Sequence, residues 1–331
     1  MKSTRYFAYA ACCVFALPLS AHAATAPAFQ LSDLQKIVNL SEPQISPDGK
    51  RIAVIVSTPD WKTDKSQQEL DLVDVASGAR RALTWKREDI SSPRWSPDGT
   101  RLAFIAKDAE TKEGQLYVMP MDGGDALRVT EIKRGVDAYS WSPDGKQIAF
   151  VSEDEPANAK AIKEHDDAFQ VTDNHFLTRA ALTPWHLWLV PSAGGRAKRL
   201  THGDYSLQTD QQDNAPVPAW SRDGHSIAFT HFPGAYWGPS FHSVIAAMDA
   251  GGGETRTLAS AEGAMSATYA PDGDSFAFMR PRSGDQNNGN AVYVTANGKS
   301  RDVTEMLARN VNSYVWLPRG KALLLAGGEG T

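Results

Sequence analysis

The segment WSPDGTRLAFIA, Trp95–Ala106, recurs through the chain. Near-copies read WSPDGKQIAFVS from Trp141 and WSRDGHSIAFTH from Trp220, and looser ones ISPDGKRIAVIVS from Ile45, YAPDGDSFAFMR from Tyr269 and WLPRGKALLLAG from Trp316. Ser-Pro-Asp-Gly is a type I turn sequence: Ser suits position i, Pro pre-sets φ at i+1, Asp is tolerated at i+2 and Gly closes at i+3. The glycine is free to take the left-handed conformation of the bulge that often ends such hairpins. After the turn comes a strand with apolar residues on both faces. In Gln147-Ile148-Ala149-Phe150-Val151, Ile148 and Phe150 face one side and Ala149 and Val151 the other. Such a strand must be covered on both faces.

The turn glycines are Gly49, Gly99, Gly145, Gly224, Gly273 and Gly320, spaced by 50, 46, 79, 49 and 47 residues. A period near fifty marks a repeat architecture. Each unit then offers two more strands around a second turn, as in ELDLVDVASGARRALT (Glu69–Thr84), QLYVMPMDGGDALRVT (Gln115–Thr130) and HLWLVPSAGGRAKRLT (His186–Thr201). Four strands per unit, sheets covered by like sheets and period-two alternation predict an all-β fold, a β-propeller. Five blades are complete and the sixth stops after two strands. That predicts an incomplete ring, with an open apolar edge capable of self-association.

The 79-residue interval carries an insertion at 152–184 in the third blade, rich in acidic residues and helical in composition from Glu155 to Asp167. Insertions in one repeat commonly project from one face, often the binding face. Before the first blade, residues 24–43 form a lead-in with a helix-like start (Ser32 as N-cap, then Leu34, Ile37 and Val38). The propeller itself is expected over 44–331.

Residues 1–23 read as a signal peptide. Lys2 and Arg5 supply the basic region, Tyr6–Leu19 the apolar region and Ala21-His22-Ala23 the cleavage site. The apolar run is too short to span a bilayer, so the expectation is an exported protein, periplasmic or secreted, with no membrane insertion after cleavage. Both cysteines, Cys12 and Cys13, leave with that peptide, so the remaining 308 residues have neither disulfide nor thiol chemistry. The formal charge changes from −5 to −7 and no basic block exists, which gives no electrostatic basis for binding nucleic acid.

No G-x-S-x-G, H-E-x-x-H or phosphate loop occurs, and no catalytic residue, cofactor or metal site is expected in this chain. His165 with Asp166 and Asp167, or His175 with Asp173, match no recognised metal spacing. The aromatic loop FPGAYWGPSFH, with Tyr236 and Trp237 at its tip between His231 and His242, suits either a substrate surface or packing on a neighbouring blade.

An exported chain opening LSDLQKIVNLSEPQISPDGKRIAVIVS, with WSPDG…IAF repeats, GG-x(3–5)-LT hairpins and an acidic insertion ending PWHLWLVPSAGGRAKRLTHGD, resembles the propeller half of bacterial prolyl oligopeptidase family serine peptidases, the dipeptidyl-peptidase and acylaminoacyl-peptidase-like branch. The resemblance covers residues 29–331. It implies a propeller, usually of seven blades, over a C-terminal α/β-hydrolase domain with a Ser-Asp-His triad, admitting peptides and excluding folded proteins. Here the match ends inside blade six, so the hydrolase domain is absent from this sequence and the chain is expected to be a fragment that is inactive alone. In dipeptidyl-peptidase members, glutamates on a propeller insertion hold the substrate's free amine. The resemblance assigns that role to Glu153 and Glu155, and carboxylates suit an ammonium group. The alternative is a TolB-like periplasmic propeller acting as a protein-protein interaction scaffold. Its separate α/β domain before the propeller has no counterpart here, because the repeats begin at Ile45.

Overall fold

The computed structural model describes residues 29–85, 87–166, 180–209, 215–236, 242–273, 275–307 and 309–328. A 3-10 helix, Leu31–Lys36, leads into blade one, which comprises β1 (Asn39–Ile45), β2 (Arg51–Asp60), β3 (Lys65–Asp74) and β4 (Arg80–Ala82). Blade two has β5 (Ser91–Trp95), β6 (Arg101–Lys107), β7 (Gly114–Pro120) and β8 (Leu127–Arg128). Blade three has β9 (Ala138–Trp141), β10 (Gln147–Glu153), β11 (Trp185–Pro191) and β12 (Lys198–Arg199), with the short helix α1 (Ala159–Lys163) between β10 and β11. Blade four has β13 (Ala219–Trp220), β14 (Ser226–His231), β15 (Val244–Asp249) and β16 (Arg256–Ser260). Blade five has β17 (Met265–Tyr269), β18 (Ser275–Pro281), β19 (Asn290–Ala296) and β20 (Lys299–Asp302). Blade six has β21 (Val311–Trp316) and β22 (Leu323–Gly327). Within every blade each strand pairs antiparallel with the next in sequence, giving five four-stranded sheets and one two-stranded sheet among the described residues.

The expected turn forms at each repeat. Gly49 donates to the Ser46 carbonyl at 2.8 Å with φ at +72°, the left-handed region where a side chain is disfavoured. The Ser46 hydroxyl donates to Asp48 Oδ1 (2.5 Å) and accepts the Arg51 amide (3.0 Å), and Asp48 Oδ1 also accepts the Lys50 amide (3.1 Å). Ser96 with Asp98, Ser142 with Asp144 and Ser221 with Asp223 repeat this ring. In the second hairpin, the threonine of each Leu-Thr or Val-Thr pair accepts an amide from the third strand. Thr84 takes that of Leu70, Thr130 of Leu116, Thr201 of Leu187 and Thr304 of Val292.

The core lies between blades. From β6, Leu102 and Phe104 pack with Ile55, Leu70 and Leu72 of blade one. The alternate residues Ala103 and Ile105 pack with Tyr139, Ile148 and Phe150 of blade three. Blades three and four share Val151, Leu187, Ile227 and Phe229 in the same manner. Two-faced burial of the second strand is thus realised, and each large side chain so buried contributes about 1.5–3 kcal/mol.

Blade one begins ahead of the expected boundary at residue 44, because β1 starts at Asn39. A bulge between Ser41 and Gln44, with Glu42 at φ +50°, breaks the alternation that would have revealed the strand. The helix-like lead-in is a 3-10 turn with Gln30, rather than Ser32, at its N-cap. The two end blades leave apolar residues uncovered: Leu40 and Ile45 of blade one, and Val315 and Leu324 of blade six, are each more than half exposed.

Candidate functional site

Glu153 closes β10, paired with Trp185 in the last rung of the β10–β11 ladder, and Glu155 lies two residues further on. Facing them is the connection from β8 to β9. There Gly135, at φ +75°, turns the chain against the Gly114 backbone, where a Cβ would approach the Gly114 carbonyl to 3.0 Å. The Ser152 hydroxyl donates to the Gly135 carbonyl at 2.6 Å, tying this turn to β10. Lys133 and Arg134 are thereby set opposite the two glutamates.

Arg134 donates to Glu153 Oε2 through Nε at 2.9 Å and through Nη2, while the Thr183 hydroxyl donates to Oε1 at 2.5 Å. Lys133 Nζ spans both oxygens of Glu155 at 3.0 and 2.8 Å. Between them Asp154 forms a two-point pair with Arg199, at 2.9 and 3.0 Å. The two glutamates differ in access: the Glu153 side chain is 17% exposed and that of Glu155 is 53% exposed. Together with Glu131, Ile132 and Trp188 these groups line a cleft of about 490 Å³.

Two titratable groups border the cleft residues, a half-buried Asp137 near Glu153 and a fully buried His186 near Asp154. Asp137 is pushed up to about 6 by burial, with the Glu153 charge adding to the effect. His186 is pushed down to about 4, chiefly by burial and then by the Arg199 guanidinium. It is neutral at neutral pH and accepts or donates at Nδ1 to the Thr201 hydroxyl (3.0 Å). Arg199 is therefore the charged partner of Asp154.

Glu153 and Glu155 are thus brought to one cleft, each already holding a cation. Sequence reasoning did not find those cations. Lys133, Arg134 and Arg199 carry no local signal, since they reach the glutamates and Asp154 across separations of 19 to 45 residues. Of the remaining candidate residues, His165 sits just after α1 at φ +60°. Asp167, Asp173, His175 and Trp237 lie outside the described residues. His231 packs against Tyr205 with ring centroids 4.8 Å apart, while Tyr236 is 46% exposed. Among the described residues, no three His, Cys, Asp or Glu side chains converge as metal ligands, and no helix is long and apolar enough to cross a membrane.

Residues 28–170 match the TolB β-propeller domain family. An uncharacterized peptidase of Bacillus subtilis (strain 168), YuxL, is 30% identical over 209 residues, which cover 60% of this chain and 30% of the relative. In solved structures, the acylaminoacyl peptidase of Pyrococcus horikoshii aligns with a TM-score of 0.63 at 16% identity, covering 85% of this chain and 42% of that one. The β-propeller domain of the Trilobed protease from Pyrococcus furiosus aligns at 0.60 and 15% identity, covering 89% and 79%. At such identities the structural likeness concerns the fold, and the chain spans less than half the length of both peptidases. The chain is therefore a β-propeller whose residues 28–170 match the TolB propeller domain and whose relatives include peptidases, consistent with its resemblance to the propeller part of prolyl oligopeptidase-family peptidases.

Proposed function

We propose that this propeller gates substrate access in an exported serine-type peptidase of the dipeptidyl or acylaminoacyl kind, and does not itself catalyse. The observation that carries the reading is the 30% identity to a peptidase over 209 residues, on a chain that folds as blades. Export rests on the leader at residues 1–23. The TolB propeller domain alone is compatible with a binding scaffold too. The sequence relationship to a peptidase favours the gate.

Glu155 is the carboxylate that meets the free amine of a peptide in this reading, with Glu153 beside it. Lys133 holds Glu155 in an exposed pair, and such pairs contribute only about 0–1 kcal/mol. A substrate ammonium can replace Lys133 there at little cost. Glu153, held by Arg134 and Thr183, keeps the cleft wall in place.

The test uses the polypeptide from the complete reading frame that carries this propeller. It should hydrolyse short peptide substrates, be blocked by a serine-directed reagent and leave folded proteins intact. In that protein Glu155→Gln should raise KM about tenfold for peptides with a free amine, as expected for loss of a charged hydrogen bond, and not for N-acylated ones. A frame lacking hydrolysis altogether overturns the gate. An equal effect of Glu155→Gln on free and acylated peptides overturns the amine site alone.

A further inference from the structure

Blades one and two, two and three, and four and five are each bridged by a guanidinium on the face that carries the Ser-Pro-Asp-Gly turns. Arg51, the first residue of β2, lies over the Trp95 ring of blade two, 4.9 Å from its centroid, and donates to the Gly99 carbonyl at 3.1 Å. Arg101, at the same position of β6, lies over Trp141 at 4.9 Å and donates to the Gly145 carbonyl at 2.7 Å. Between blades four and five, where the strand starts with Ser226, Arg256 arrives from β16. It donates to the Ser226 hydroxyl at 3.0 Å beside Tyr269, which stands where blades two, three, four and six have tryptophan.

Between blades three and four, among the described residues, no guanidinium donates to the turn glycine carbonyl. The first residue of β10 is Gln147, and Lys198, at the β12 position matching Arg256, donates instead to the Gly251 carbonyl at 2.6 Å. Trp220 is in place, its Nε1 donating to the Ser140 carbonyl at 3.3 Å. The Gly224 carbonyl, counterpart of the acceptors at Gly99 and Gly145, takes no hydrogen bond among the described residues. The result is a cavity of about 400 Å³ lined by Gln147, Trp220, Gly224, Asp144 and Asp223. Arg222 also lines it, but points a guanidinium nitrogen towards the Asp272 carbonyl of blade five, 3.5 Å away.

We infer that this slot binds an arginine side chain presented by another polypeptide. The indole face of Trp220 and the Gly224 carbonyl supply the two contacts that the chain's own arginines make twice elsewhere, and Gln147 and the two aspartates add acceptors. Arginine fits better than lysine because a planar guanidinium both stacks on indole and donates in its own plane. The inference is independent of the peptidase reading, since the slot opens among the turns rather than at the Glu153 cleft.

The probe is the blocked tripeptide acetyl-Ala-Arg-Ala-amide, followed through the indole N–H resonances of the tryptophans. It should shift Trp220 and leave Trp95 and Trp141, whose faces are already occupied, unmoved. The lysine analogue should bind at least about threefold more weakly. Gln147→Arg, which places the missing staple in cis, should weaken peptide binding about tenfold or more and raise the melting temperature. No selective Trp220 shift at millimolar peptide, or equal shifts with the lysine analogue, overturns the inference. Persistence of binding in a folded Gln147→Arg protein does so as well. The comparison among tryptophans in the unaltered chain decides the matter without any variant.

Discussion

Trp95 shows why one side chain recurs where a merely apolar one would satisfy the pattern. Its Nε1 donates to the Gln44 carbonyl of blade one at 2.9 Å, and its face carries Arg51. Trp141, Trp220 and Trp316 donate in the same way to Arg94, Ser140 and Thr268. Trp95→Phe should keep most of the apolar contact but leave the Gln44 carbonyl unpaired and weaken the cation–π pair. Loss of about 1–2 kcal/mol is expected by urea unfolding. Asp137 bears on pH. Its folded value near 6 lies above the ordinary 3.8, so the fold favours its protonated form. Its stabilising contribution is fully present below about pH 4 and is lost as pH rises through about 6. Asp137→Asn should remove that loss. The stability of the variant relative to the unaltered chain should rise on the order of 2–3 kcal/mol between pH 4 and pH 7. A flat difference across that range would count against the burial argument.

The repeated hairpin was legible because its chemistry is local: four residues determine the turn, and the next six alternate. Blade five departs from the rule in a useful way. Ala270 stands where Ser46, Ser96, Ser142 and Ser221 stand elsewhere, while Asp272 is retained. The backbone of the turn is unchanged, with Gly273 donating to the Ala270 carbonyl at 2.9 Å. Ala270→Ser should therefore restore the side-chain ring to a turn already in place, stabilising the protein by about 0.5–1.5 kcal/mol. A shift in the urea midpoint at constant slope measures it. First strands were harder to read than second strands. The bulges at Glu42, Ser92 and Ser266, all at positive φ, put two residues opposite one and break the period-two signal. Tyr139 occupies one such bulge, its hydroxyl donating to the Ser92 carbonyl at 2.5 Å. Nothing in the one-dimensional pattern pairs residues 47 apart.

Among the described residues, the hydrophobic clusters that join blades join adjacent ones, so perturbations in distant blades should not communicate. Trp95→Phe, between blades one and two, and Ala270→Ser, within blade five, share no partner. Their effects should add within about 0.5 kcal/mol in the double variant, and a larger departure would reveal cooperativity beyond nearest neighbours. The amino-acid sequence alone was enough to determine blade number, strand order and the two-faced burial of the second strand in blades one to five, because turn chemistry and alternation act over a few residues. It also singled out Glu153 and Glu155, through likeness to a family. Tertiary structure decided what surrounds them: Lys133, Arg134 and Arg199 come from other strands and connections, and only the stacking of strands places them within hydrogen-bonding reach. The same holds for the Trp220 slot. Gln147 is an unremarkable strand residue until the neighbouring blades show which side chain its position usually holds.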